Sequence, residues 1–221
     1  MRTSVPIVIA LLLASASCGG AAPAESSPTR SPAASPSPTA AAVASSPYSP
    51  KAEGSQKKNL VAKPRNISVS APGLIWIVSG PGDGTGVSAG VSDKDIFTAS
   101  YQAPADRQAA GLAKAVYVTP DLPPQPAALY GESLTLVTVQ PGGRSAAHMH
   151  PGIEGVLVLD GHVLVRTAGH VPADLLKGQG FYILPETPIQ LINIGATVAR
   201  TLVYSLSPNG APFSIPVDTA P

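Results

Sequence analysis

Hydrophobic residues in the last two-thirds of the chain occur in short runs bounded by Gly, Pro, Asp or Asn. The runs are rich in β-branched residues and have no sustained helical period, which indicates strands. They predict nine strands, at residues 74–78, 96–101, 115–118, 134–139, 155–159, 163–166, 181–184, 189–194 and 199–206. Only residues 104–114 have the composition of a helical turn. We therefore predict an all-β fold that closes into a barrel or a two-sheet sandwich.

The start of the chain has a different pattern. A basic residue at position 2, an apolar run at 5–13 and small residues after it predict a signal peptide at residues 1–17. The run is too short to span a bilayer as a stable helix. Cys18 follows directly and resembles the lipidated cysteine of bacterial lipoproteins. We expect an extracytoplasmic protein, anchored to the cell membrane by a lipid on Cys18, or alternatively secreted after cleavage at Ala16 or Ser17.

Ala, Ser and Pro dominate the segment that follows, residues 18–58. This composition cannot bury enough apolar surface to offset its conformational entropy, so we predict a disordered tether. We interpret the basic residues between Lys51 and Arg65 as the solvated end of this linker. Beyond it we expect an N-terminal β extension of the barrel at 59–129, a barrel core at 130–207 and a C-terminal tail at 208–221.

Charge and cysteine content exclude several classes of protein. The chain has 221 residues, one cysteine and a formal net charge of +1. This balance argues against a nucleic-acid partner, since such proteins neutralise phosphates with a large basic excess. A single cysteine also rules out an internal disulfide framework and a Cys-ligated zinc cluster within the chain.

All four histidines lie between positions 148 and 170, and two of them suggest a metal site. His148 and His150 have the same parity, so on extended backbone both side chains point to one face. The Pro-Gly pair after His150 provides a kink, after which Glu154 can return to that face. Two imidazoles and one carboxylate form a facial site for divalent ions, with positions left for water or substrate. We therefore predict His148, His150 and Glu154 as metal ligands.

The spacing around these ligands resembles the first sequence motif of the cupin superfamily. The residues at its five fixed positions are Gly142, His148, His150, Glu154 and Gly161. Cupins are small jelly-roll barrels, also called double-stranded β-helices, and the resemblance implies this fold for residues 134–206. The Asp-Gly pair at 160–161 is also a hairpin signal, which would pair Leu159 with His162 and turn His162 away from the metal.

The second cupin motif implies another metal-binding histidine, which this chain lacks. When the motif is aligned from Gly178 to Asn193, Ile189 stands at the position of that histidine. An isoleucine cannot bind a metal, so three of four implied ligands remain for a divalent cofactor such as Fe, Mn, Zn or Ni. Because Ile189 and Asn193 have the same parity, we expect both to line the pocket.

Three functions remain open from the sequence. The first is a binding module that holds an unknown small molecule, with or without a weakly held ion. The second is a metal-dependent cupin enzyme of the dioxygenase, isomerase or decarboxylase type, for which no catalytic residue is identified. The third is a barrel whose histidines are only hydrogen-bonded. Expected partners are the small molecule, the membrane through the N-terminal lipid and, by resemblance to cupins, a second copy in a homodimer.

Overall fold

The computed structural model describes residues 49, 51–69, 72–102, 115–126 and 128–218. These residues contain fifteen strands and no helix. In chain order the strands are β1 (Glu53–Asn59), β2 (Arg65–Val69), β3 (Leu74–Ser79), β4 (Val87–Gly90), β5 (Ile96–Gln102), β6 (Ala115–Val118), β7 (Ala128–Arg144), β8 (His148–Met149), β9 (Ile153–Asp160), β10 (His162–Thr167), β11 (Ala173–Leu176), β12 (Gly180–Ile183), β13 (Ile189–Asn193), β14 (Ala199–Pro208) and β15 (Ile215–Pro216).

The all-β prediction is confirmed, and each of the nine predicted strands is present, with ends that agree within two residues except in β7, which extends well beyond the predicted 134–139 at both ends. The signal peptide, Cys18, most of the predicted tether and the helix-like stretch 104–114 lie outside the described residues. Within the part of the chain that is described, no helix has the length and apolar character needed to cross a membrane.

One large sheet forms a nearly closed barrel. Its strand order is β11-β10-β13-β7-β14-β9-β12, with β1 and β2 also paired to β7, and β8 paired to β13 and β15. A second sheet has the order β4-β5-β3-β6. Strand β7 organises the large sheet because its 17 residues pair with β14 and then β13 along one edge, and with β2 and then β1 along the other.

The barrel wall formed by β7, β9 and β14 is buried on both faces. Alternate residues point inward and form an apolar cluster that includes Val137, Val139, Val156, Val158 and Val203. The residues between them point outward and pack against the four-stranded sheet, in a cluster that includes Leu134, Leu157, Leu202, Ile75 and Ile77. Burial on both faces explains why these strands have long apolar runs instead of strict alternation.

The expected end of the tether at residue 58 is wrong. Residues 53–59 form β1, which pairs antiparallel with β7 so that Lys57 lies opposite Val137. At the start of β1, Arg144 Nη2 donates to Glu53 Oε2 at 2.6 Å. Most of β1 is exposed and polar, so the strand is held by backbone hydrogen bonds and lacks the apolar pattern by which strands are predicted.

Two strands outside the expected barrel core also pair with strands of the large sheet. Within the expected extension, β2 pairs with β7 in the barrel sheet itself. Within the expected tail, β15 pairs with β8, placing Pro216 opposite His148. Strands β2 and β15 therefore belong to the large sheet, whereas β3 to β6 form the second sheet.

The Asp-Gly turn is present, but it does not form the predicted hairpin. Strand β9 pairs with β12 and β14, whereas β10 pairs with β11 and β13, so Leu159 is not opposite His162. Gly161 has φ +85°, and a Cβ there would lie 2.7 Å from the Cα of Ala199. The chain therefore makes a tight turn at Gly161 that packs against β14. The strands before and after this turn, β9 and β10, are not neighbours in the sheet.

Candidate metal centre

The three predicted ligands meet inside the barrel. His148 lies in β8, His150 follows that strand, and Glu154 is the second residue of β9. All three are buried, with 7%, 2% and 3% of their surface exposed. One donor atom from each lies within 4.8 Å of the others, close enough for one ion to reach all three when the side chains close around it. Their role as ligands stays a prediction.

Both imidazoles are oriented by backbone carbonyl groups. His148 Nδ1 donates to the carbonyl oxygen of Ala146 at 2.7 Å, and His150 Nδ1 donates to that of Phe213 at 2.6 Å. A carbonyl oxygen can only accept a hydrogen bond, so each Nδ1 carries a proton and each Nε2 is the available ligand atom. Metal-binding histidines are commonly held by such a bond from the other ring nitrogen.

The buried atoms at the centre are not satisfied by the protein. His150 Nε2 and Glu154 Oε2 are 2.6 Å apart, but their alignment does not make a hydrogen bond, and both atoms lack any other partner. Buried polar atoms in proteins are normally paired, so two such atoms side by side require an explanation. A divalent ion would accept a lone pair from each, which means that the residues present fit a metal.

Electrostatics keep His148 ready to bind a cation. Burial, followed by the nearby Lys57 ammonium, lowers the pKa of His148 to about 4, so its imidazole is neutral near pH 7. Burial opposes charge on His150 and Glu154 as well, but their mutual attraction raises the pKa of His150 and lowers that of Glu154. This pair holds a proton at the position where an ion would bind, and metal binding would release it.

The two residues predicted to line the pocket have different positions. Ile189 is 1% exposed, lies opposite His148 in the pairing of β13 with β8, and lines the triad's cavity of about 10 Å³. Asn193 does not line that cavity, so this expectation is wrong. Its Nδ2 donates to the carbonyl oxygens of Val139 at 2.8 Å and Thr197 at 2.7 Å. Asn193 therefore stabilises the turn after β13 from a position further along the strand.

Two residues of the site were missed by sequence reasoning. Lys57 Nζ lies 3.4 Å from His148 Nε2 and 5.9 Å from the centroid of the Phe213 ring, and both residues line the triad's cavity. Burial lowers the pKa of Lys57, while the Glu154 carboxylate opposes this shift. The sequence placed these residues in the tether and the tail, and nothing in their local pattern links them to the histidines.

Other polar residues near the motifs do not join the triad. His162 points elsewhere, as expected, and its Nε2 contacts Asp174 Oδ1.

A more open cavity of about 220 Å³ shares no lining residue with the triad's cavity. Its lining consists of Thr167, His170, Phe181, Tyr182, Ile183, Leu184 and Thr187.

A family match agrees with this geometry. Residues 135–205 match the model of the family described as Cupin domain. The match covers about a third of the chain and contains the whole triad. Together with the observed strands it confirms the expected double-stranded β-helix fold. No curated protein matches the chain.

Solved structures also resemble the barrel. An oxalate oxidase in complex with the substrate analogue glycolate is 26% identical over 39% of this chain and 46% of that chain, with a TM-score of 0.36. The DMSP lyase DddQ from Ruegeria pomeroyi DSS-3 is 18% identical over 41% of this chain and 45% of that chain, with a TM-score of 0.37. A Klebsiella pneumoniae protein with a double-stranded β-helix domain is 19% identical over 39% of this chain and 76% of that chain, with a TM-score of 0.34. The chain thus matches somewhat less than half of the first two proteins.

Proposed function

We propose that this protein binds one divalent ion, of Fe, Mn, Zn or Ni, through His148, His150 and Glu154, and binds a small molecule at the ion's remaining positions. The observation that supports this proposal is the buried pair His150 Nε2 and Glu154 Oε2, which have no partner in the described part of the chain except each other. When bound, the ion supplies a Lewis-acidic centre.

The residues around the triad each have a distinct task in this proposal. The carbonyl groups of Ala146 and Phe213 hold the two imidazoles with Nε2 directed inward. Ile189 occupies the place of a fourth protein ligand with an apolar side chain, which leaves that position to the small molecule. The Phe213 ring packs edge to face on His150, with ring centroids 5.1 Å apart, and lines the triad's cavity.

We further propose that the protein acts outside the cytoplasm and is held at the membrane by a lipid on Cys18. The apolar run before Cys18 and the Ala/Ser/Pro-rich segment after it support this location. Cys18→Ser should move the protein from the membrane fraction to the soluble extracytoplasmic fraction. An unchanged distribution between fractions would contradict the lipid anchor.

A second candidate is a metal-dependent enzyme. It is favoured by the number of protein ligands, because three ligands with open positions are typical of catalytic sites, whereas structural sites are closed by four. Chemical change of a ligand that is found to bind at the centre would distinguish the enzyme from the binding module.

Metal analysis of purified protein tests the proposal. The chain without its first 17 residues should be prepared without chelator, together with the double variant His148→Ala, His150→Ala and the control His162→Ala. We expect wild type and the control to contain about one ion per chain, and the double variant to contain almost none. Equal metal content in all three proteins would overturn the proposal.

A further inference from the structure

A second cavity lies beside the strand at one end of the large sheet. Strand β12 is the last strand in the order of that sheet, and in the described part of the chain it pairs only with β9. The cavity has a volume of about 220 Å³, and its lining includes Phe181, Tyr182 and Ile183 of β12 and Thr167 at the end of β10. We refer to it as the β12 cavity. It shares no lining residue with the triad's cavity, so it is a separate space.

One buried hydroxyl group in the β12 cavity has no hydrogen-bond partner. Thr167 is 5% exposed, and its Oγ1 finds no donor or acceptor among the described residues. Thr167 has the same parity as Val163 and Val165 of the inner apolar cluster, so its side chain faces the inside of the barrel. Leaving a buried hydroxyl group unpaired is unfavourable. Its position in the lining of a cavity points to a ligand that would pair with it.

Two aromatic rings form part of the cavity wall. The ring centroids of Phe181 and Tyr182 lie 6.2 Å apart, and the rings are inclined by 23°, so they are nearly parallel. Leu184 adds aliphatic surface. Aromatic rings in proteins favour offset stacking or edge contact with another ring at centroid distances of about 4.5–7 Å. The wall therefore favours a flat, aromatic occupant over an aliphatic one.

The volume and the placement of polar groups favour a ligand over water. A cavity of about 150 Å³ holds a molecule of benzene, so the β12 cavity has room for a substituted ring. A buried water needs about two to four polar partners. Thr167 offers one, whereas His170 and Thr187 lie at more exposed positions of the lining. A single water beside Thr167 would therefore be poorly held.

The turn after β12 holds one wall of the cavity in place. Glu186 in this turn has φ +59°, a left-handed conformation that residues with a side chain rarely adopt. Its N–H donates to the carbonyl oxygen of His150 at 2.7 Å, which fixes the turn to the segment between β8 and β9. Leu184 and Thr187, before and after Glu186, line the cavity. The wall is thus formed before a ligand arrives, which lowers the entropic cost of binding.

We infer that the β12 cavity binds a small aromatic molecule that carries a hydroxyl group. Its ring packs against Phe181 and Tyr182, and its hydroxyl group forms a hydrogen bond with Thr167 Oγ1. This site goes beyond the proposed function, because it requires no ion and shares no residue with the triad. Phenol is the simplest molecule of this class and serves as the probe.

Titration followed by ¹H–¹⁵N NMR tests this inference. Three proteins without their first 17 residues are compared: wild type, Thr167→Val and the control Thr201→Val. Thr201 is also a buried threonine of the barrel, but it lines neither cavity, and its Oγ1 donates to the carbonyl oxygen of Val137 at 3.4 Å. Each protein is titrated with phenol, with toluene, which lacks the hydroxyl group, and with cyclohexanol, which lacks the aromatic ring.

In wild type, phenol should shift the amide signals of Thr167, Ile183 and Leu184 in a saturable manner, and cyclohexanol should bind about fivefold more weakly. Thr167→Val should weaken phenol binding about tenfold, because the hydrogen bond is lost, and should leave toluene binding unchanged. Thr201→Val should leave both unchanged. Leu184 is 38% exposed, so Leu184→Trp fills the cavity from its open side. This variant should abolish binding of all three probes, and it provides the test if Thr167→Val unfolds.

Three outcomes would overturn the inference: no saturable shift with phenol, equal phenol affinity in wild type and Thr167→Val, or equal affinity for phenol and cyclohexanol. Phenol should also bind equally well to the double variant His148→Ala, His150→Ala. Loss of binding in that variant would place phenol at the triad and overturn the separate site. Phenol binding by wild type that contains no metal would contradict the proposed function alone.

Discussion

Two buried glutamates lie on opposite faces of the same barrel wall. Glu132 faces outward under the four-stranded sheet and is 0% exposed, whereas Glu154 faces inward and is 3% exposed. Glu132 Oε1 accepts hydrogen bonds from Ser100 Oγ at 2.6 Å, Tyr204 Oη at 2.8 Å and Tyr101 N at 3.0 Å, and Arg65 Nη1 lies 3.4 Å from its Oε2. Glu154 Oε2 makes no hydrogen bond of good geometry, and it contacts His150 Nε2 at 2.6 Å.

The difference between the two carboxylates lies in the kind of partner and not in the depth of burial. Hydrogen-bond donors from β2, β5 and β14 satisfy the carboxylate oxygens of Glu132. This residue therefore connects the four-stranded sheet to the barrel. Glu154 has nitrogen atoms of two imidazoles and one lysine nearby, and of these His150 Nε2 lies in contact with it. A buried carboxylate whose oxygens accept hydrogen bonds from the protein has a structural role. A buried carboxylate whose oxygens lack such donors indicates a binding site.

The largest expected effect is the loss of stability on replacing Glu132. Glu132→Ala should lower the free energy of unfolding by about 3–5 kcal/mol, because several buried donors lose their acceptor and a cavity remains. In metal-free protein, Glu154→Gln should lower it by less, about 1–2 kcal/mol, because the attraction between the carboxylate and His150 is lost while an amide oxygen remains in place. Urea denaturation of both variants measures this contrast, and equal losses would remove the distinction drawn between the two sites.

The reverse contrast is expected for metal binding. Glu154→Gln should weaken Mn²⁺ binding about 100-fold, because it removes the one anionic ligand of the triad. Glu132→Gln, on the opposite face of the wall, should leave Mn²⁺ affinity unchanged. Calorimetry on both variants tests this, and a similar loss in the two would show that Mn²⁺ affinity reports general destabilisation.

A smaller effect on metal binding should follow from adding a fourth protein ligand to the triad. Ile189→His should tighten binding of Zn²⁺ or Mn²⁺ about tenfold by adding a fourth ligand opposite His148. Without metal, the variant should lose about 1–2 kcal/mol of stability, because a buried apolar side chain is replaced by a polar one without a partner. Metal titration and thermal unfolding measure the two effects. Unchanged affinity with an intact fold would mean that position 189 does not face the ligands.

The smallest effect concerns pH and Glu132. Burial, which outweighs the hydrogen bonds from Ser100, Tyr101 and Tyr204 and the attraction of Arg65, raises the pKa of Glu132 above its usual value of 4.5. The folded state therefore binds this proton more readily than the unfolded state does. The resulting contribution to stability is fully present below pH 4.5 and is lost as pH rises through the folded-state pKa.

Wild type should accordingly gain stability relative to Glu132→Gln as pH falls from 7 towards 4.5. Urea denaturation of both proteins at several pH values gives this difference, and groups common to both proteins cancel. A difference that stays constant or shrinks on acidification would contradict the raised pKa.

The sequence predicted those strands whose positions are determined by apolar burial. The nine predicted strands include the main wall strands β7, β9 and β14, whose side chains pack in both apolar clusters. It missed β1, which is polar, exposed and held by backbone pairing with β7. Backbone hydrogen bonds require no particular side-chain pattern, so an edge strand of this kind cannot be recognised from local composition.

The same distinction applies to the site. His148, His150 and Glu154 lie within seven residues of one another, so strand parity and motif spacing were sufficient to bring them together. Lys57 reaches the centre only through the register between β1 and β7, which no local pattern specifies. Strand parity was not sufficient for Asn193. It predicts which face of β13 the side chain lies on, but not how far along the strand the cavity extends.

The carbonyl group that holds His150 belongs to Phe213, 63 residues later in the chain. Synthesis proceeds from the N-terminus, so the two histidines and Glu154 leave the ribosome well before the residue that completes their orientation. Barrels with such distant pairings fold in milliseconds to seconds. We expect the ligand set to be finished only when the C-terminal segment docks. Since metal availability decides which ion such a site acquires, we expect the compartment in which residue 213 docks to determine the identity of the proposed ion.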